Sequence, residues 1–191
     1  MKVLIAYATT EGQTRKIAEQ IAGQVHELGH GAELVDVDHG RHNFNVNDFN
    51  AVIVAASVHQ HDHQDAIEVF VAACHAALNT RPTMFLSVSL SAAFDEGRRE
   101  AQDCITRFIE KTGWTPSISL PVAGALRNEG YDYFQQQILE HVVLKNRKVD
   151  HPERDHEFTD WKALADAVTA FVTANTSPLG KEEGVYPASR S

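Results

Sequence analysis

The chain is poor in cysteine, with only Cys74 and Cys104 in 191 residues. That excludes a disulfide framework. Both cysteines fall in stretches of helical patterning and read as small core hydrophobes, which fits a reducing compartment. A basic surplus is lacking as well. Lysine and arginine total 17 against 26 aspartates and glutamates, a formal net charge of −9. With so little cation to neutralise a phosphate backbone, nucleic acid is excluded as a main partner. No apolar run is long enough to cross a bilayer. The short run Val3–Tyr7 is not followed by a signal-peptide cleavage pattern, so a cytoplasmic protein is expected. Proline (6) and glycine (11) are too few for a collagen-like or low-complexity chain, and 43% hydrophobic residues are too many for a disordered one. The length suits one well-cored domain rather than two.

What is present alternates strand and helix. Val3-Leu4-Ile5-Ala6-Tyr7 is a continuous apolar run of strand length, the pattern of a strand covered on both faces. Over residues 14–28 the period changes. Ile17, Ile21, Val25 and Leu28 form one helical face, ended by Gly29 and Gly31. Ala32–Val37 reads as a second strand, and the polar stretch 38–50 holds at most a short helix near Val46–Phe49. Ala51–Ala56 is the clearest buried strand. A helix follows at about 64–78, a strand at Thr83–Leu90, a helix at 96–112 and a strand at Ile118–Ala123. Thr159 or Asp160 can cap a last helix through Trp161, Leu164, Val168 and Phe171. This alternation predicts an α/β fold, a doubly wound five-stranded parallel sheet of order 2-1-3-4-5. It forms a single domain over residues 1–175, with a tail at 176–191. An insertion at about 127–157 precedes the last helix. Its Tyr133, Phe134, Ile138, Leu139, Val142 and Val143 keep amphipathic helical spacing.

The loop between the first strand and the first helix carries chemistry. In Ala8-Thr9-Thr10-Glu11-Gly12-Gln13-Thr14, Gly12 permits a tight turn. Three threonine hydroxyls and the free N–H groups of a helix start converge there, which suits a phosphate monoester. A Walker lysine is absent, which disfavours a nucleoside triphosphate, and so are the further glycines of a dinucleotide fingerprint. A helix merely capped by Thr10 is the plain alternative.

Thr-x-x-Gly-Gln-Thr after an apolar strand resembles the FMN phosphate loop of flavodoxins, with Thr9, Gly12, Gln13 and Thr14 matching and Glu11 replacing the usual middle threonine. Ala55-Ala56-Ser57-Val58-His59, Ser87-Val88-Ser89-Leu90, Ala123-Gly124-Ala125-Leu126-Arg127 and Phe158-Thr159-Asp160-Trp161 follow in order. Together they resemble the quinone-dependent protoporphyrinogen dehydrogenases, flavodoxin-like enzymes of haem synthesis that also carry an insertion before the last helix. The resemblance spans roughly residues 2–173. It implies FMN as cofactor, and a porphyrinogen substrate giving up six electrons in three two-electron steps to a quinone. Two other readings stay open: a flavodoxin-type electron carrier, and a flavodoxin-like module without FMN, for which Glu11 is the motive.

In an open α/β sheet, ligands sit beyond the carboxyl ends of the strands. The expected cofactor residues are therefore Thr9, Thr10, Glu11, Gly12, Gln13 and Thr14 for the phosphate. Ser57, Val58, His59 and Gln60 would hold one edge of the flavin ring, and Ser89, Leu90 and Ser91 the other. Neither ring loop holds Trp or Tyr, and such a bare flavin face suits exchange with a bulky planar substrate. His59, His61 and His63 alternate, so on an extended segment the three imidazoles share a face, as zinc ligands would. The polar loop equally suits solvated histidines with His59 contacting cofactor, and no metal is expected. Arg127, at the ligand end of the last strand, is the candidate for a substrate propionate. Catalytic acids and bases are not assigned. Lys145, Arg147 and Lys148 suit anionic lipid at the inner face of a membrane. Glu129, Asp132, Glu140, Asp150, Glu153 and Asp155 remove any basic surplus from the insertion. Peripheral membrane contact, homodimerisation and plain packing of this segment are all open.

Overall fold

The computed structural model describes residues 1–39, 44–126 and 156–176. The expectations for Arg127, for the insertion helix and for the tail beyond Thr176 lie outside the described residues. Five strands pair in parallel: β1 (Lys2–Ala8), β2 (Gly31–Asp36), β3 (Ala51–His59), β5 (Thr83–Ser89) and β6 (Ile118–Ala123). Their order is β2-β1-β3-β5-β6, which among the parallel strands is the expected 2-1-3-4-5. Two short antiparallel ladders are additional. β4 (Asp62–His63) folds back on the end of β3, and β7 (Ala125–Leu126) pairs with β8 (His156–Glu157).

Four described helices cover the sheet: α1 (Gln13–Glu27), α2 (Asp65–Leu78), α3 (Arg98–Thr112) and α4 (Trp161–Ala174). The central strands β1, β3 and β5 are buried along most of their length because each alternates between two covered faces, while the edge strands β2 and β6 are partly exposed. Val3, Ile5 and Tyr7 of β1 pack with Ile17, Ile21 and Val25 of α1 and with Val168 and Phe171 of α4. Leu4, Ala6 and Ala8 face the other way, against Ile67 and Val71 of α2 and Ile105 and Phe108 of α3. Each fully buried branched or aromatic side chain contributes about 1.5–3 kcal/mol.

The ends of the elements have local causes. Gly113, at φ 65, closes α3 in the left-handed region. The turn drops Trp114, 0% exposed, against Phe85 and Phe108 at 5.9 and 6.4 Å between ring centroids. Asp160 is the cap of α4, its side chain accepting from Ala163 N–H at 2.9 Å. Arg81 donates to the carbonyls of Ala77 and Phe49 and to Asn47 Oδ1, tying the end of α2 to the short 3-10 turn Val46–Asp48. Cys104 is buried and Cys74 half-buried, and burial pushes both thiols' pKa up, as inert packing residues require.

The shared histidine face expected over residues 59–63 does not form. Gln60 (φ 51) and His61 (φ 70) are both left-handed and make a two-residue reversal, so β4 pairs Val58 with His63 and His59 with Asp62. The alternation that would align the rings is broken at the turn. His61 points out and pairs with Glu100, Nδ1 to Oε1 at 3.0 Å. His63 turns inward and is 5% exposed. Its Nε2 lies 2.9 Å from Ser87 Oγ, and its ring packs on Phe85 and Phe108 at 5.2 and 4.9 Å. It is a satisfied core histidine.

Burial holds the His63 pKa down at about 4, with Arg107 adding to the effect and Asp62 opposing it. An unfolded histidine titrates near 6.5. As pH falls from about 6.5 to about 4 the unfolded chain takes this proton first, and up to ~3 kcal/mol of stability is lost across that window. His63→Gln should remove this part of the slope. Chemical denaturation in steps from pH 7.5 to pH 4 checks it: the gap between parent and variant should narrow with acid. A constant gap would mean His63 titrates alike in both states.

Candidate functional site

An open cleft lies at the carboxyl ends of β1, β3, β5 and β6. The phosphate-type loop forms one wall with Thr9, Thr10, Glu11, Gln13 and Thr14; Ser57, Val58 and His59 form the second; Ser89 and Leu90 belong to the third. These residues come together because β1 and β3 are neighbours, with Ala8 beside Ala56 in register, and β5 lies next to β3.

Gly12 holds the turn. It sits at φ +87 at the N-cap of α1, where a Cβ would meet nothing within 4 Å, so the residue is selected by backbone angle rather than by space. Side-chain capping by Thr10 does not occur. Thr9 Oγ1 accepts the Gly12 N–H at 2.9 Å instead. The first-turn N–H groups of α1 have no partner within the helix and face the cleft end of its dipole. Thr14 is 0% exposed, lines the cleft, and its Oγ1 has no hydrogen-bond partner. A buried hydroxyl is rarely left unpaired, so this orphan in a concave wall fits a ligand oxygen of phosphate type.

The cations nearest this loop are engaged elsewhere. Arg15 bonds Asp36 Oδ2 at 3.0 Å, and Lys16 pairs with Glu157 and lies 5.3 Å over the Trp161 ring. Partial burial works against the Asp36 charge, yet the Arg15 bond, helped by the Asp38 N–H and His39, holds its pKa below the ordinary value. The bond from Lys16 likewise lowers Glu157. Among the described residues, then, the loop offers an anion hydroxyls and backbone N–H groups rather than a lysine. Gln13 is buried, and its Nε2 donates to Thr159 Oγ1 at 2.9 Å, while Thr159 donates to Ala123 O at 2.7 Å. The loop is thereby tied to the start of α4 and the end of β6.

Three of the expected residues stand behind the walls. Gly12 shapes the loop, Gln60 occupies the β3–β4 turn, and Ser91 is buried in the 3-10 turn Ser91–Ala93. That turn is pressed against Gly97, where an added Cβ would lie 2.2 Å from Ser91 O; only glycine fits there. The expectations did not include Val88, Gly124 or Ala125, which complete the wall after β5 and β6. Gly124 N–H donates to Ser89 O at 3.0 Å, and its carbonyl accepts from Phe158 N–H at 3.0 Å. The strand order alone could have found them, since the loop after the fifth strand flanks the loop after the fourth.

A family model described as Flavodoxin domain matches residues 4–154. The chain is 29% identical over 167 residues to protoporphyrinogen IX dehydrogenase (quinone) of Escherichia coli strain K12, covering 87% of this chain and 92% of that protein. The protein of the same name from Leishmania major is 27% identical over 165 residues, covering 85% of this chain and 71% of its own length. Among solved structures, a mutant flavodoxin from Pseudomonas aeruginosa shares the fold with a TM-score of 0.51 at 13% identity, over 90% of this chain and 99% of that one. With most of its length matched by the family model, and with the same sheet and a glycine turn leading into its first helix, the chain belongs to the flavodoxin domain family.

Proposed function

We propose that the protein is an FMN-dependent oxidoreductase of the protoporphyrinogen IX dehydrogenase (quinone) type. The observation that carries the reading is the buried, unpartnered Thr14 hydroxyl in the wall of the cleft at the start of α1. The similarity to the two dehydrogenases named above, over most of both chains, supports the substrate class. Thr9, Thr10, Gly12, Gln13 and Thr14 would hold the FMN phosphate. Ser57, Val58 and His59 on one side, and Ser89 and Leu90 on the other, would present backbone groups to the ring edges, with Gln60 and Ser91 shaping those two loops from outside the lining. Val88, Gly124 and Ala125 would close the wall between them.

When bound, the flavin supplies reversible two-electron chemistry between a porphyrinogen and a quinone. The protein would bind and orient it. Its phosphate site works without a committed cation, so affinity rests on the helix dipole and on hydrogen bonds to charged oxygens. The ring loops carry neither Trp nor Tyr. A ring left uncovered by such side chains is accessible to a large flat substrate. The test is anaerobic mixing of flavin-loaded protein with protoporphyrinogen IX, followed by a quinone. Flavin bleaching and then recovery are expected; a flavin that porphyrinogen does not reduce would leave an electron carrier instead.

Thr14→Ala should cost roughly 1–3 kcal/mol of FMN binding, the value of a hydrogen bond to a charged group. Flavin-free protein should be no less stable, because the hydroxyl has no internal partner to lose. Fluorescence titration with FMN and a thermal melt of the flavin-free form check both halves, and unchanged affinity removes Thr14 from the site.

Glu11 puts a carboxylate in the same wall. Glu11→Thr, which removes a charge of the same sign as the phosphate, should bind FMN as tightly as the parent or more tightly. Weaker binding in the same titration would assign Glu11 a supporting role.

A further inference from the structure

Gln64 stands just outside the cleft lining, and the family reading gives it no part. It precedes α2 with extended backbone (φ −61, ψ 139), and its carbonyl accepts from Ile67 N–H at 3.1 Å. Its side chain does not cap that helix. It reaches back instead, and Nε2 donates to Thr10 Oγ1 at 3.1 Å and to Ser57 Oγ. Ser57 Oγ also accepts the Thr10 N–H at 3.3 Å. One amide therefore fastens the loop after β1 to the end of β3, two cleft walls far apart in sequence.

The base of this clamp is rigid. The preceding residue, His63, is fixed in the core by Ser87 and by the Phe85 and Phe108 rings. The left-handed pair Gln60 and His61 turns the chain so that Gln64 arrives beside Ser57, seven residues after it. The other end of the amide is poorly served: Oε1 is buried and has no partner. An unpaired buried carbonyl does nothing for stability. A residue kept at that cost is explained by the geometry it imposes on its neighbours.

We infer that Gln64 is a positioning residue of the cleft. Its amide holds Thr10 against Ser57 and presets the gap between the phosphate side and the ring side of a phosphorylated flavin. The inference rests on the FMN reading above. Gln64 touches no ligand; it acts through Thr10 and Ser57, and it lowers the ordering that binding would otherwise require of the loop.

Gln64→Leu keeps the bulk and removes both hydrogen bonds and the orphan carbonyl. It should weaken FMN binding roughly tenfold, the size of one net hydrogen bond, while flavin-free protein melts at the parent temperature or above. In the flavin-free form, hydrogen exchange at the Thr10 amide should quicken. Gln64→Asn, too short to reach, should repeat the loss of affinity. In a cycle with Ser57→Ala, the second substitution should add little to the first, because both break one junction. Affinity and melting temperature falling together would make Gln64 a plain structural residue and overturn the inference. So would parent-like FMN affinity in both the Leu and Asn variants, or full additivity with Ser57→Ala. A parent that binds no flavin would overturn the FMN reading itself, and this one with it; a parent that binds, with variants that bind equally, overturns only the role of Gln64.

Discussion

The cleft depends on a single topological constraint. The chain leaves β1 through α1, returns as β2 on one side of β1, and then crosses back to lay β3 on the other side. α1 packs on one face of the sheet and α2 on the opposite face. The loops after β1 and β3 therefore leave the sheet in opposite directions, and the space between them cannot be filled by either connection. Thr9–Thr14 and Ser57–His59 line that space because of where the sheet reverses. The apolar alternation of β1 and β3, which keeps both faces covered, is what makes the reversal stable.

Within that opening the electrostatics are arranged by subtraction. Arg15 and Lys16 sit in the first turn of α1, where cations would serve an anion well, yet both are turned to carboxylates outside the cleft, Asp36 and Glu157. What remains is directional: the N–H groups of the first turn, the hydroxyl of Thr14, and that of Thr9, which accepts the Gly12 N–H and keeps its own proton to donate. A site of this kind discriminates by geometry more than by charge, and its strength varies little with ionic strength compared with a lysine-lined one.

Much of this was legible in the sequence. The five parallel strands, their order and the helix faces follow from runs such as Ala51–Ala56 and from the spacing of Ile17, Ile21 and Val25, because burial on two faces leaves a periodic trace. The Thr/Gly loop was legible since a helix start has a fixed chemistry. The features that escaped depend on contacts distant in sequence. Gln13 bonds Thr159, and Gln64 bonds Thr10 and Ser57, and no local pattern marks either. The histidine alternation produced no shared face because Gln60 and His61 both take left-handed angles, which are uncommon outside glycine and which no local pattern here marks. Thr159 and Asp160 were interchangeable as caps until the structure gave the hydroxyl of Thr159 to Ala123 and the cap to Asp160.

The chain has two tryptophans, and the fold gives one to each layer. Trp114 is sealed in the α2–α3 side of the sheet with Phe85 and Phe108, and its indole N–H is unpaired. Trp161 lies partly open on the α1–α4 side, its N–H bonded to Glu157 and its ring beneath Lys16. The two indoles thus emit from environments of opposite polarity, one dry and one wet. Removing either leaves a single-colour probe of one half of the core. Loosening of the α4 layer can then be followed by light while the opposite layer stays silent.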